Sequence, residues 1–129
     1  MTREQFHDKL QETELQLLTL GELAGAQVKR SVDALLTNDD RAAQQVIDGD
    51  DEIDTLYLRI DQEILGMLAL QSPVAGELRL VSAILHSNLH LERVGDQAVN
   101  IAKMYLASNH LPGSPLLRHA IGGLRSTLA

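Results

Sequence analysis

The stretch LRLVSAILHSNLHLERVGDQAVNIAKMYL, residues 78–106, decides the fold. Within it, one set of residues recurs at alternating steps of three and four, which is the spacing of one face of a long amphipathic helix. That predicted face consists of Leu78, Val81, Leu85, Asn88, Glu92, Gly95, Val99, Ala102 and Leu106. Three consecutive members, Asn88, Glu92 and Gly95, break the apolar rule, so this part of the face needs a reason other than core packing.

Two more helices are predicted before this one. The first covers about residues 3–36, and its face consists of Phe6, Leu10, Leu17, Leu20, Ala24, Val28, Val32 and Leu35. TNDD at 37–40 interrupts it, because Asn and Asp favour helix starts and turns. The second helix is expected to run to about Leu70, with a face of Val46, Asp50, Ile53, Tyr57, Ile60, Ile64 and Met67.

The connection QSPVAGE at 71–77 contains Pro73, which disfavours helix at the residue before it. Because this connection is short, the second and third helices should be antiparallel neighbours. The expected fold is all-α, an elongated antiparallel three-helix bundle about 45–50 Å long. We expect a domain of residues 1–108, followed at 109–129 by a linker and a partial fourth helix whose apolar residues need burial: Leu116, Leu117, Ile121, Leu124 and Leu128.

The composition of the chain excludes several classes of function. The 129 residues are 44% hydrophobic and include no cysteine, so a single domain is expected and any metal must be held by oxygen or imidazole. The net charge of −7 argues against nucleic-acid binding. Residues 38–63 carry nine acidic side chains against two arginines, which gives −7 for that segment alone. The polar amino terminus and the short apolar runs predict a soluble, cytoplasmic protein.

Two acidic pairs stand out, Asp50 with Asp54 and Glu92 with Asp96, each spaced i, i+4. If the chain folds back near Pro73, position 50 lies opposite about 97 and position 54 opposite about 93. Four carboxylates would then meet at one level of the bundle, where repulsion and desolvation demand a counter-charge. Oxygen ligands suit divalent or trivalent cations, and the missing side chain of Gly95 would leave room for an ion or for a closer helix. The alternative is a solvated, metal-free acidic face.

Other candidate sites are weaker. His86 and His90 have the spacing of two zinc ligands, but both fall on outward positions of the helix. Glu4 and His7 form the only Glu-x-x-His sequence, whereas a di-iron site of the ferritin type needs two, which argues against a redox enzyme. The sequence contains neither a Gly-rich phosphate loop nor a nucleophile elbow, so we expect no catalytic activity.

Three segments, VIDGDDEID (46–54), PVAGELR (73–79) and LERVGDQAVNIA (91–102), resemble the PhoU family of accessory regulators of the high-affinity phosphate importer. The resemblance implies a three-helix repeat that binds iron, zinc, manganese or magnesium through Asp50, Asp54, Glu92 and Asp96, with Asn100 nearby. It also implies a non-enzymatic negative regulator of phosphate uptake and of the transcriptional phosphate-starvation response. The implied partners are the importer's ATPase subunit and a membrane sensor histidine kinase, so contact with the membrane would be through partners only.

One departure from the family pattern concerns length. PhoU proteins have two such repeats, whereas this chain ends at Ala129, just inside what resembles the first helix of the second repeat. The surface that a second repeat would cover is then expected to be apolar. We therefore expect a homodimer, with residues 115–129 exchanged between chains. A metal-free helical module that only binds other proteins remains the alternative.

Overall fold

The computed structural model describes residues 1–110 and the pairs 119–120, 122–123 and 126–127. Residues 1–110 form four helices and, within the described part of the chain, no strand: α1 (Arg3–Thr37), α2 (Asp40–Asp48), α3 (Asp50–Leu70) and α4 (Ala75–His110). The predicted all-α bundle is confirmed. The three later pairs are helical, but the apolar residues predicted for the partial fourth helix lie outside the described residues.

The ends of the first helix follow from local sequence. Thr2 caps α1 in a reciprocal arrangement with Gln5, in which each side chain accepts from the other's backbone N–H. Asn38 ends α1 in the left-handed conformation, with φ 57°, which asparagine tolerates better than most residues. Asp39 then caps α2 by accepting from the N–H of Ala42 at 3.0 Å.

The predicted second helix is not continuous, because it breaks at Gly49 into α2 and α3. Glycine has a weak helical preference, which makes this position the easiest to break. The side chain of Gln27 on α1 reaches the joint and donates from Nε2 to the carbonyl oxygen of Val46 at 2.6 Å. The expectation of one helix to Leu70 was therefore wrong, and the break coincides with the contact from Gln27 on a different helix.

Side-chain contacts define the directions of the helices. Arg3 at the start of α1 pairs with Glu77 at the start of α4, so these two helices run parallel. Lys9 of α1 contacts Glu63 near the end of α3, with 3.7 Å between Nζ and Oε1, so α1 and α3 are antiparallel. Residues 71–74 connect α3 to α4, as the proline turn predicts.

The core has two parts. The larger cluster contains Ala24, Ile53 and Ile84, and the smaller contains Ala34, Val46 and Ala98. The chain therefore passes from one cluster to the other near residue 27 on α1, near residue 50 where α2 meets α3, and near residue 92 on α4. Polar side chains, including the two predicted acidic pairs, occupy this level of the bundle.

The predicted apolar face of α1 is correct only in part. Gln27 and Ser31 are buried in place of Val28 and Val32, which are only half-buried. Spacing explains the difference, since Leu20, Ala24, Gln27, Ser31 and Ala34 continue the steps of four and three. On α4, Leu78 is 54% exposed and does not belong to the core, because it lies in the first turn of the helix beside the connection.

Candidate metal site

Asp50 is the first residue of α3 and owes its position to the break at Gly49. The first turn of α3 also carries Asp51 and Glu52. The amino-terminal end of a helix bears a partial positive charge, which favours carboxylates there. Asp51 and Glu52 are exposed, whereas Asp50 is half-buried. Only Asp50 of this acidic turn therefore faces towards the interior of the bundle.

Three of the four predicted ligands come together. Asp50 and Asp54 on α3 and Asp96 on α4 each offer a carboxylate oxygen, and these oxygens lie within 4.8 Å of one another. The antiparallel alignment of α3 and α4 produces this meeting. Asn88, buried on α4, supports that alignment by donating from Nδ2 to the carbonyl oxygen of Tyr57 on α3 at 3.0 Å.

Gly95 permits a close approach of α3 and α4 at this level. A Cβ atom at Gly95 would lie 3.2 Å from both Cδ1 and Cγ2 of Ile53, and 3.9 Å from Oδ1 of Asp50. Of the two reasons considered for a glycine here, the approach of the neighbouring helix is the one that these distances support. Any side chain at position 95 would press on Ile53, which lies between Asp50 and Asp54 in the chain.

Glu92 lies beside the group of three carboxylates rather than within it. It precedes Asp96 by one helical turn and is half-buried. Burial raises the pKa of Glu92, and the charge of Asp96 together with a hydrogen bond to it raises that pKa further. Asp54 and Asp50 add smaller contributions in the same direction. Glu92 thus belongs to the same electrostatic cluster as the three aspartates.

The pKa values of the two α3 ligands are also raised. Burial is the largest cause for Asp50, followed by the charges of Asp54 and Asp96, while Lys103 on α4 acts in the opposite direction. For Asp54 the causes are burial and then the charges of Asp96 and Asp51, partly offset by a hydrogen bond with Asp50. A raised carboxyl pKa means that the charged form is disfavoured in the folded state, and bound protons or a bound cation would relieve this.

The donor set fits a cation that prefers oxygen. Oδ1 of Asp50 is buried and has no hydrogen-bond partner among the described residues, so it is an acceptor that a cation would satisfy. Neither histidine of the HxxxH sequence contributes, because His86 and His90 are both exposed. Arg93 and Asn100, which were considered as neighbours of the ligands or as partner contacts, are exposed as well.

One residue of this level was missed by pattern reading. Gln27 on α1 is 3% exposed and contacts the joint that precedes Asp50. Its signal in the sequence was the uninterrupted spacing of the α1 face, which the polar character of glutamine obscured.

The segment 1–110 and the short described pairs after it contain no helix with the length and apolar character needed to cross a bilayer.

Comparison with known proteins identifies the family. The family model for the PhoU domain matches residues 17–104. Two similar relatives bear the name phosphate-specific transport system accessory protein PhoU homolog. The one from Xylella fastidiosa is 36% identical over 110 residues, which is 85% of this chain and 45% of the relative. The one from Pseudomonas putida is 40% identical over 100 residues, or 78% of this chain and 39% of the relative.

A PhoU protein from Serratia marcescens is 31% identical over 131 residues and aligns with 96% of this chain and 54% of its own length. The chain thus spans about half the length of the curated relatives that it matches. No solved structure gave a significant match. The domain match covers both acidic pairs and most of the helical bundle, and on this basis the chain belongs to the PhoU family.

Proposed function

We propose that this chain is a non-enzymatic regulator of phosphate uptake that binds a metal ion in the bundle. The observation that carries the metal proposal is the convergence of Asp50, Asp54 and Asp96, with oxygens within 4.8 Å of one another and one buried oxygen without a hydrogen bond. The regulatory role rests on membership of the PhoU family and on relatives named as accessory proteins of phosphate-specific transport.

In this proposal Asp50, Asp54 and Asp96 hold the ion, and Glu92 is the fourth carboxylate of the site. Carboxylate ligands suit iron, zinc, manganese or magnesium, and they discriminate poorly among them. The ion supplies positive charge to a cluster whose raised pKa values reflect burial and mutual repulsion. Binding would join α3 to α4 and stiffen the middle of the bundle, between its two hydrophobic clusters.

The proposed partners are those of the phosphate transport system. We assign this chain to the cytoplasm, where it would contact the importer's ATPase subunit and a membrane sensor histidine kinase, and thereby act on transcription of the phosphate-starvation response. The acidic segment 38–63 is the proposed docking face, since its charge of −7 equals the net charge of the whole chain. A basic surface on the partner would be attracted to this segment, and the association rate should fall as salt is added.

Self-association is also part of the proposal. Several large apolar side chains are more than half exposed, and they are distributed over three helices: Leu15, Leu18, Leu58, Leu65 and Met104. Exposed apolar surface of this kind is commonly covered by a partner or a second copy. Size-exclusion chromatography with light scattering should give a dimer at micromolar concentration. A clean monomer there would remove the homodimer from the proposal.

A metal-free interaction module is the second candidate, and the proton chemistry of the cluster favours it. The raised pKa values of Asp50, Asp54 and Glu92 favour bound protons, which would relieve part of the repulsion without an ion. The positive charge of Lys103 also offsets part of the repulsion at Asp50, since it lowers the pKa of that carboxyl. This candidate keeps the bundle and its partners and requires no metal.

Elemental analysis of protein purified without chelator separates the two candidates, together with melting curves recorded with and without EDTA. The metal proposal predicts bound metal and a lower melting temperature in EDTA. Asp50→Ala and Glu92→Ala should each reduce the metal content, which would tie α3 and α4 to one site. Asp48→Ala is the matched control, because it removes an exposed acid of the same segment outside the cluster. Metal-free wild type with no EDTA effect would favour the second candidate.

A further inference from the structure

Gln27 occupies an unusual place for a glutamine. It lies in the middle of α1, is 3% exposed, and is located at the level where the two hydrophobic clusters meet. Its Nε2 donates to the carbonyl oxygen of Val46 on α2 at 2.6 Å, a contact between residues 19 positions apart in the chain. The side chain thus links α1 directly to the end of α2.

The bonded carbonyl belongs to a helix end. Val46 is among the last four residues of α2, which ends at Asp48, and carbonyl groups in that position have no partner within their own helix. Gln27 supplies the missing donor. The short helix α2 therefore has its carboxyl end satisfied by a side chain of α1, and the chain is free to start a new helix after Gly49.

Gly49 shows how closely the amide fits this joint. A Cβ atom at Gly49 would lie 3.1 Å from Nε2 and 3.4 Å from Oε1 of Gln27, and 3.2 Å from the carbonyl oxygen of Gln45. The amide thus occupies the space beside Gly49 that a side chain would otherwise take. The next residue along the chain is Asp50, so the joint directly precedes the first of the proposed metal ligands.

We infer that Gln27 is a positioning residue for the carboxylate cluster: it holds the joint between α2 and α3 against α1, and so fixes where Asp50 lies relative to Asp96. The metal consequence rests on the proposed function. An ion needs its ligand oxygens at well-defined distances, and residues that orient the ligands without touching the ion commonly change affinity tenfold or more. Gln27 would act through the backbone of the joint.

A purely structural role makes different predictions. Oε1 of Gln27 is buried and has no hydrogen-bond partner among the described residues, so this side chain is not a fully satisfied core residue. Replacement by methionine, which has a similar shape, removes the bond to Val46 but also removes that unpaired oxygen. These two effects on the stability of the bundle oppose each other. The orientation of Asp50, in contrast, has nothing to replace the lost bond.

The test compares Gln27→Met with Ser31→Ala in the full chain. Ser31 is buried one turn later on α1, and its hydroxyl donates to the carbonyl oxygen of Val28 within the same helix, so its loss leaves the joint untouched. Mn²⁺ alone is titrated by calorimetry into chelator-treated protein. We expect Gln27→Met to weaken Mn²⁺ binding by about tenfold or more, and Ser31→Ala to change it less than about twofold.

Hydrogen exchange gives a second measurement that needs no metal. In the chelator-treated protein, amides in the first turn of α3 should exchange faster in Gln27→Met than in wild type, while those in the middle of α1 should not. Unchanged exchange in that turn would overturn the inference, even if wild type binds no Mn²⁺ and the metal proposal itself fails. Wild-type Mn²⁺ affinity in Gln27→Met, or an equal loss in Ser31→Ala, would overturn it as well.

If Gln27→Met does not fold, Gly49→Ala tests the same joint from the other side. The added methyl group would be 3.1 Å from Nε2, so the amide must shift to admit it. The expected result is again weaker Mn²⁺ binding and faster exchange at the start of α3. Wild-type behaviour in both measurements would contradict the positioning role.

Discussion

Gly95 on α4 lies directly against Ile53 on α3, so close that a Cβ atom at position 95 would be 3.2 Å from two carbon atoms of Ile53. Ile53 is 1% exposed and lies between Asp50 and Asp54 in the chain. The separation of the two helices at the candidate metal site is therefore set by a glycine and a buried isoleucine.

Gly95→Ala should destabilise the protein by roughly 1 kcal/mol. Alanine gains about 1 kcal/mol in helical preference, but overpacking a buried contact costs about 1–3 kcal/mol, and we expect the second effect to dominate because the added methyl group would press on two carbon atoms of the buried Ile53. Urea unfolding measures the change. Gly66→Ala is the control, since a Cβ there meets nothing within 4 Å, and it should stabilise α3 instead. Equal effects in the two variants would show that helix separation is not set at Gly95.

The metal-free protein should become less stable as the pH rises from about 4, the ordinary carboxyl pKa, towards neutral. Asp50, Asp54 and Glu92 have pKa values raised above those of the unfolded chain, chiefly by burial, so the folded state binds more protons in this range. Stability from these groups is complete below their unfolded pKa values and is lost as the pH passes their raised values. Melting temperatures in EDTA across this range test the sign. A rise in melting temperature towards neutral pH would contradict it.

Asp54→Asn should separate stability from metal binding. Removing one charge from a like-charged i, i+4 pair relieves about 0.2–0.5 kcal/mol of repulsion, so the metal-free variant should melt slightly above wild type at pH 7. Its response to Mn²⁺ should be lost, because one of the three converging carboxylates is gone. Calorimetric melting with and without Mn²⁺ measures both effects. Asp61→Asn, which neutralises an acid of α3 outside the cluster, should keep the metal response.

Asn88→Ala should cost about 1–3 kcal/mol, because it removes the hydrogen bond that links α4 to the carbonyl oxygen of Tyr57 on α3 and opens a cavity at a fully buried position. Chemical unfolding gives the value. Asn100→Ala serves as the comparison, since Asn100 is exposed on the same helix and its change should stay within about 0.5 kcal/mol. A similar cost in both variants would mean that Asn88 has no special part in aligning α3 with α4.

Much of the site could be predicted because its determinants are local. The i, i+4 spacing places Asp50 and Asp54 on one side of a helix, and counting outward from Pro73 places them opposite Asp96. The geometry bears out that convergence for the three aspartates. Glu92 is not among the residues whose oxygens lie within 4.8 Å of one another. Helix spacing predicts the level of a side chain along the bundle, but it does not predict the distance from that side chain to a group on another helix.

The sequence by itself determined the helical periods, the turn at Pro73 and the order of the acidic pairs, since each depends on neighbours within a few residues. Only the tertiary structure decided that the second rod breaks at Gly49 and that the polar Gln27 is buried beside it. The physical reason is that burying the amide N–H of Gln27 is costly unless it finds an acceptor. That partner, the carbonyl oxygen of Val46, is 19 residues away in the chain and becomes available only when the helices pack.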